Sequence, residues 1–297
     1  MTFAIITAIL FAFSAVFNTR ITKLLDEVSA NYYRLLIACL ILGVLTAIFQ
    51  PSSFHPLASS WLLLSGVVGF GLGDIALFAA FSRIGSRLTI LINFSLSAIV
   101  GAFADWLVLD DAIGIWQWGS IIIILCGLGI ALLSSKNPEI RQGSFRLGII
   151  AALIAGVGQG IGASISRHAE KIADSSGIVI NGVSQAFQRV SAGLFCLALV
   201  WLWKRARGKL SQPSSNKKTI AGWLILAAIF GPVLGVSCLQ QSLKTLTSGE
   251  AMAVTATSPL LLIPLAYFFE GDRIRPLALS GAFLGVGGVI IMALTRT

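Results

Sequence analysis

Apolar stretches of membrane length alternate with short polar or basic breaks along the whole chain. That is the pattern of helices crossing lipid, not of strands or of amphipathic helices around a soluble core. A helix crossing hydrocarbon needs about 20 mostly apolar residues, because unpaired backbone groups are intolerable there. The rule predicts spans at about 3–18, 32–49, 61–81, 88–109 and 113–133, then at about 145–165, 182–203, 220–243, 251–269 and 277–294. The polar stretch SSKNPEIRQGS separates the two sets. The expected fold class is an all-α integral membrane protein: ten transmembrane helices as two inverted five-helix repeats. The expected units are residues 1–135 and 145–297, joined by a linker at 136–144.

The inversion follows from a repeat. Residues 69–110 match 231–272 without a gap: Gly69/Gly231, Leu72/Leu234, Gly73/Gly235, Leu77/Leu239, Ser86/Ser248, Ala104/Ala266 and Asp110/Asp272 coincide. The order of features is shared as well: a small-residue helix, a Ser-bearing break, an apolar helix, an acidic loop. Arg34, near the start of the second span, has a counterpart in Arg189 near the start of the seventh. SAVFNTRITK, closing the first span, has a weaker one in GQGIGASISRHAEK of the sixth. An odd number of spans per half forces the halves to enter the bilayer in opposite senses.

Composition removes the soluble alternatives. The chain is 56% hydrophobic and 11% charged, with mean hydropathy +0.91, whereas soluble domains carry about 25% charged residues. The net charge of +9 does not point to nucleic acid, because the basic residues sit in short loops between apolar runs. Fifteen of them, from Arg20 and Lys23 to Arg273 and Arg275, follow odd-numbered spans, against four (Arg167, Lys171, Lys244, Arg296) on the other side. This bias predicts cytoplasmic odd-numbered loops and outward termini in a plasma (inner) membrane. Cys39, Cys126, Cys196 and Cys238 lie inside apolar runs without metal or disulfide spacing. MTFAIITAILFAFSAVF lacks a basic leader region and is expected to be a retained first span.

The segments AAFSRIGSRLTILINFSLSAIVGAFADWLVLDD and QQSLKTLTSGEAMAVTATSPLLLIPLAYFFEGD, each followed by a Gly-rich helix, resemble the drug/metabolite transporter superfamily. The likeness is specifically to proteins with two EamA-type domains, and it covers nearly the whole chain. The second half carries the family's Ser-Pro as Ser258-Pro259, where the first has Ser97-Ala98. The family's Gly-Glu is present only as Leu109 to Asp111 and as Glu270-Gly271-Asp272, and its first-span Trp-Gly is absent. The resemblance implies cytoplasmic termini, against the charge count. It also implies a central cavity lined by the first, third, fourth, sixth, eighth and ninth spans.

Candidate substrate- or proton-binding residues are Asp74, Asn93, Gln159, Gln240 and Gln241. Asp74 stands out, because a charge inside a span costs at least ~2.5–3.5 kcal/mol and must be repaid by a partner, a wet cavity or a functional proton. Its repeat mate is Val236, so its role is asymmetric. The bland alternative is a hydrogen-bonded structural carboxyl, and the amides more often bond between helices than hold cargo. Arg34 and Arg189 are gating or structural candidates, with snorkelling to the headgroups as the ordinary alternative. Gly69/Gly73, Gly231/Gly235 and the run from Gly156 to Gly162 favour close helix contact. Pro232, Pro259 and Pro264 favour kinks, and Glu250, Asp110, Asp111, Glu270 and Asp272 are expected to face water at span ends.

These features point to a secondary, non-ATP transporter of a small organic solute. The expectation is a metabolite or amino-acid exporter working by alternating access, with proton coupling resting on Asp74. No Walker-type phosphate loop is present. An enzyme is disfavoured: the two histidines, His55 and His168, are placed in loops, and H-E-x-x-H is absent. A lipid-carrier flippase or channel-like permease of the same superfamily is the main alternative. No cofactor or metal is implied; the expected partners are a small-molecule solute and membrane lipids, without nucleic acid, in a monomer or weak homodimer.

Overall fold

A computed structural model describes residues 1–50, 54–110, 114–134, 142–210, 216–259 and 276–295, and every regular element among them is helical. α1 (Thr2–Leu24) turns into α2 (Glu27–Phe49) through Asp26, whose carboxylate accepts the Val28 and Ser29 N–H groups at 3.2 Å. α3 (Pro56–Gly66) starts at a His55 cap and runs through a π-helical segment, Val67–Gly73, into α4 (Asp74–Leu109). α5 (Ile115–Ser134), α6 (Gln142–Ser175) and α7 (Gly182–Ala206) follow. α8 (Lys217–Ala228) passes through a second π-helical segment, Ile229–Val233, into α9 (Leu234–Leu243). α10 (Ser248–Thr255) and α11 (Pro276–Leu294) complete the set.

Helix runs from Pro56 to Leu109 without a loop, far too long for one crossing at 1.5 Å per residue. The chain reverses at Gly85, whose φ of 74° and ψ of 178° belong to a region that only glycine occupies without strain. α6 proves the reversal by lying against both arms. Gly158 and Gly162 approach Gly73 and Gly69 in falling order, while Gly156 and Gly160 approach Asn93 and Ser97 in rising order. A Cβ on Gly158 would stand 3.0 Å from the Gly73 Cα, so glycine is what lets these backbones touch. α5 and α11 pair antiparallel in the same manner, with Gly127 against Gly281 and Gly285. The expected Ser-bearing break is thus a glycine turn in the first half. In the second half Thr247 and Glu250 form a reciprocal capping box opening α10.

Six helical stretches are long and apolar enough to cross a membrane, and two shorter apolar helices accompany them among the described residues. The polarity is inside out. Leu40, Val44 and Ile48 of α2 and Phe195, Leu199 and Leu202 of α7 form exposed apolar stripes. Arg34, Asp74, Asn93, Gln188 and Arg189 are almost wholly buried. Such a surface is stable only against acyl chains.

Several expectations change. His168 lies within α6, edge-on to Trp61 at 4.9 Å, and not in a loop. Glu250 is 4% exposed in its capping box, so it does not face water, while Asp110 does. Pro232 sits in a π-helical segment, where the wider turn accommodates its missing N–H. Asp111, Pro264, Glu270 and Asp272, residues 260–269 of the span expected at about 251–269 and most of the linker lie outside the described residues.

Candidate functional site

Where α1, α2, α4, α6, α9 and both π-helical segments meet, a narrow cleft opens, with about 480 Å3 of space between the atoms when the solvent at its mouth is included. Its apolar wall combines four phenylalanines, with Phe11 stacked on Phe94 at 5.4 Å between ring centres, and aliphatic residues such as Leu77, Ile90 and Val236; Phe70 and Phe81 are the other two rings. Its polar groups are Ser14, Asn18, Arg34, Asp74, Asn93 and Gln159. Asp74 occupies the first position after the first π-helical segment. That wider turn offsets the register of α4 relative to α3, a feature common at functional positions.

Asp74 is 2% exposed, and its Oδ2 accepts a hydrogen bond from Arg34 Nη2 in a buried ion pair. Its Oδ1 accepts from Gln159 Nε2 at 3.1 Å. Arg34 Nη2 also donates to Asn31 Oδ1 at 2.9 Å, and the guanidinium lies 4.8 Å from the centre of the Phe78 ring. Arg34 is 3% exposed. The snorkelling alternative is therefore overturned: a carboxylate within reach makes the interior a better place for this cation than the headgroups.

Arg189 is 1% exposed and lies 5.4 Å from the centre of the Phe70 ring. Its Nε, Nη1 and Nη2 find no hydrogen-bond acceptor among the described residues. The two arginines nonetheless make matching contacts. A Cβ on Gly69 would stand 3.0 Å from Arg189 Nη2, and a Cβ on Gly231 would stand 3.2 Å from Arg34 Nη1. Each arginine of one half of the chain thus reaches a glycine of the other.

The sequence candidates divide accordingly. Asp74, Asn93, Gln159 and Arg34 line the cavity, and Asn93 Oδ1 is buried without a hydrogen-bond partner among the described residues. Gln240 is wholly buried, and neither amide atom has a hydrogen-bond partner among the described residues, but it is not on the cavity wall. Gln241 accepts the Gly182 N–H at 3.2 Å at the start of α7. Arg189 stands behind the wall, beyond Phe70. Ser14 and Asn18 were not singled out from sequence, where a Ser and an Asn toward the end of a span look like ordinary packing residues.

Sequence reading also missed the ion pairs at the end of the bundle where α3 and α7 begin. Asp105 Oδ2 accepts from Arg167 at 3.0 Å and from the Ser248 N–H at 2.7 Å. Glu170 pairs with Lys244 at 2.6 Å and accepts from Gln185. Both carboxylates are almost fully buried. At the opposite end, Arg83 and Glu27 pair at 2.7 Å while still partly exposed.

Apolar faces turned outward around a buried, hydrogen-bonded ionic centre define a polytopic membrane protein with a polar chamber. The model of the EamA-like transporter family matches the chain twice, over residues 1–134 and 146–294, and the protein belongs to that family. No curated protein matches it. A solved structure described as "Crystal structure of protein" superimposes with a TM-score of 0.68 at 17% identity, covering 98% of this chain and 95% of that one. At that identity the likeness establishes the fold alone.

Proposed function

We propose that this protein is a secondary transporter that carries a small organic solute, a metabolite or an amino acid, by alternating access. The observation that carries the reading is the cavity itself. It is a chamber at mid-bundle between helices of both halves, with its charged group held by a partner and not turned to lipid. The pairs Asp105–Arg167 and Glu170–Lys244 lie to one side of it and act as the closed gate. They join α4 to α6 and α6 to the end of α9, so they would have to part for the chamber to open there.

The two halves, residues 1–135 and 145–297 around a 136–144 linker, are ten spans in two inverted sets of five. Support comes from the doubled family match, the two π-helical segments and the reciprocal arginine–glycine contacts. The charge count favours cytoplasmic odd-numbered loops and outward termini in the plasma membrane. Proton coupling through Asp74 requires its carboxylate to part from Arg34 during the cycle. Transport indifferent to a pH gradient, or an Asp74→Asn variant keeping full pH dependence, removes that element.

Purified protein in proteoliposomes tests the whole. A thermal-shift screen of metabolites finds a stabilising solute, because cargo must favour the folded state. That solute should then show saturable uptake and counterflow. A conductance far above carrier turnover would instead make the protein a channel.

A further inference from the structure

The Arg34 guanidinium is used on one side only. Nη2 serves Asp74 and Asn31. Nη1 points to the notch at Gly231, and Nε has no acceptor among the described residues. Ser14 Oγ lies in the same notch, and it accepts from Asn18 Nδ2 at 3.3 Å, which leaves its own proton available. A Cβ on Gly231 would stand 2.6 Å from Ser14 Oγ and 3.2 Å from Arg34 Nη1, so the absence of a side chain there keeps two converging donors open to the cavity.

Charge points the same way. Among the described residues, Arg34, Arg189 and Asp74 are the charged side chains buried about this centre, two basic groups against one carboxyl. A buried charge without a counterion is costly, and a single negative charge delivered to the chamber would balance it. Beyond the notch the apolar wall is made by the rings of Phe11, Phe70, Phe81 and Phe94 together with aliphatic side chains such as Leu77 and Ile90. A ligand suited to both ends has one anionic head and an apolar body.

Resting on the transporter reading, we infer that the solute is a small organic monocarboxylate whose carboxylate docks on Arg34 and Ser14 at the Gly231 notch. Asp74 then keeps Arg34 oriented and shares its charge with Arg189, so the loaded chamber is neutral. The apolar body lies among the phenylalanines, with the unpartnered Asn93 Oδ1 open to any donor it carries.

The test uses the intact purified chain and three probes with one apolar body: 3-phenylpropanoate, 3-phenylpropanamide and 3-phenylpropylamine. Thermal unfolding is expected to rise saturably with the acid, and to need at least tenfold more amide or amine for the same shift. Gly231→Ala and Ser14→Ala, whose melting without ligand checks that they fold, should each weaken the acid response, the first at least tenfold. An amide or amine as effective as the acid, no response to the acid, or a Gly231→Ala protein with an unchanged acid response would each overturn the assignment. Counterflow separates this idea from the one beneath it. Acid-specific stabilisation without counterflow upholds the carboxylate site and sinks the carrier, whereas counterflow of the amine in place of the acid does the reverse.

Discussion

Arg34 and Arg189 occupy matching places in the two halves of the chain, and each touches the glycine that corresponds to the other's. Yet one guanidinium is held by Asp74 and Asn31, while the other has no acceptor among the described residues. The difference traces to two positions: Asp74 in the first half corresponds to Val236 in the second, and Asn31, three residues before Arg34, to Ala186, three before Arg189. A chain with two EamA-like halves that holds both cations but, among the described residues, one carboxylate is off balance at this centre. That imbalance makes the chamber chemically one-sided.

Removing the shared carboxylate should have the largest consequence. Asp74→Asn leaves two buried guanidiniums with no counter-charge among the described residues, and a loss of about 3–5 kcal/mol is expected. Unfolding of the purified protein by heat or detergent titration measures it. Next comes the contrast between the cations. Arg34→Gln strands Asp74 and should cost about 3 kcal/mol. Arg189→Gln removes a charge that has no hydrogen-bond acceptor, and should be neutral or stabilise by about 1 kcal/mol. Equal losses in the two variants would mean that Arg189 has a counterpart as good as Asp74, and the contrast would fail.

The lipid-spanning class was legible because period and length alone report it: apolar runs too long for a soluble core need no tertiary information. Asp74 was legible as a problem, since a carboxylate within a span demands compensation. Its solution was not. Arg34 lies about two turns into α2, where a snorkelling cation and a paired one look alike in sequence; only the approach of α4 to α2 distinguishes them. Asp105 and Glu170 were hidden likewise, because span-end charges usually meet water and here meet α6 and α9 instead. The π-helical segments leave little trace in residue type, Pro232 excepted, for the extra residue per turn is set by what the flanking helices must reach.

Restoring the missing group sharpens the comparison. Val236 corresponds to Asp74 and lies buried on the cavity wall. If the halves are true counterparts, Val236→Asp places a carboxylate where Arg189 can use it. The substitution should then be tolerated in the wild-type background and poorly tolerated with Arg189→Gln. A coupling of about 1–3 kcal/mol between the two sites is expected from a double-mutant cycle. No coupling would show that the resemblance between the arginines stops at their glycine contacts.

The smallest effects distinguish how each half turns its chain. The first half reverses at Gly85, with φ at 74°. The second opens α10 with Thr247, whose side chain accepts the Glu250 N–H at 3.2 Å while Glu250 accepts the Thr247 N–H at 2.8 Å. Gly85→Ala forces a Cβ into a glycine-only conformation and should cost about 1–3 kcal/mol. Thr247→Ala removes one cap bond and should cost about 1 kcal/mol. The capping box is shared, so Glu250→Gln, which keeps an acceptor at that position, should cost less than Thr247→Ala, whereas no isosteric substitute exists for the Gly85 conformation. Unfolding of the three variants side by side checks that order. Gly85→Ala as mild as Glu250→Gln would mean that the turn relaxes to an ordinary conformation, and that the reversal is held by the contacts of α6 with both arms.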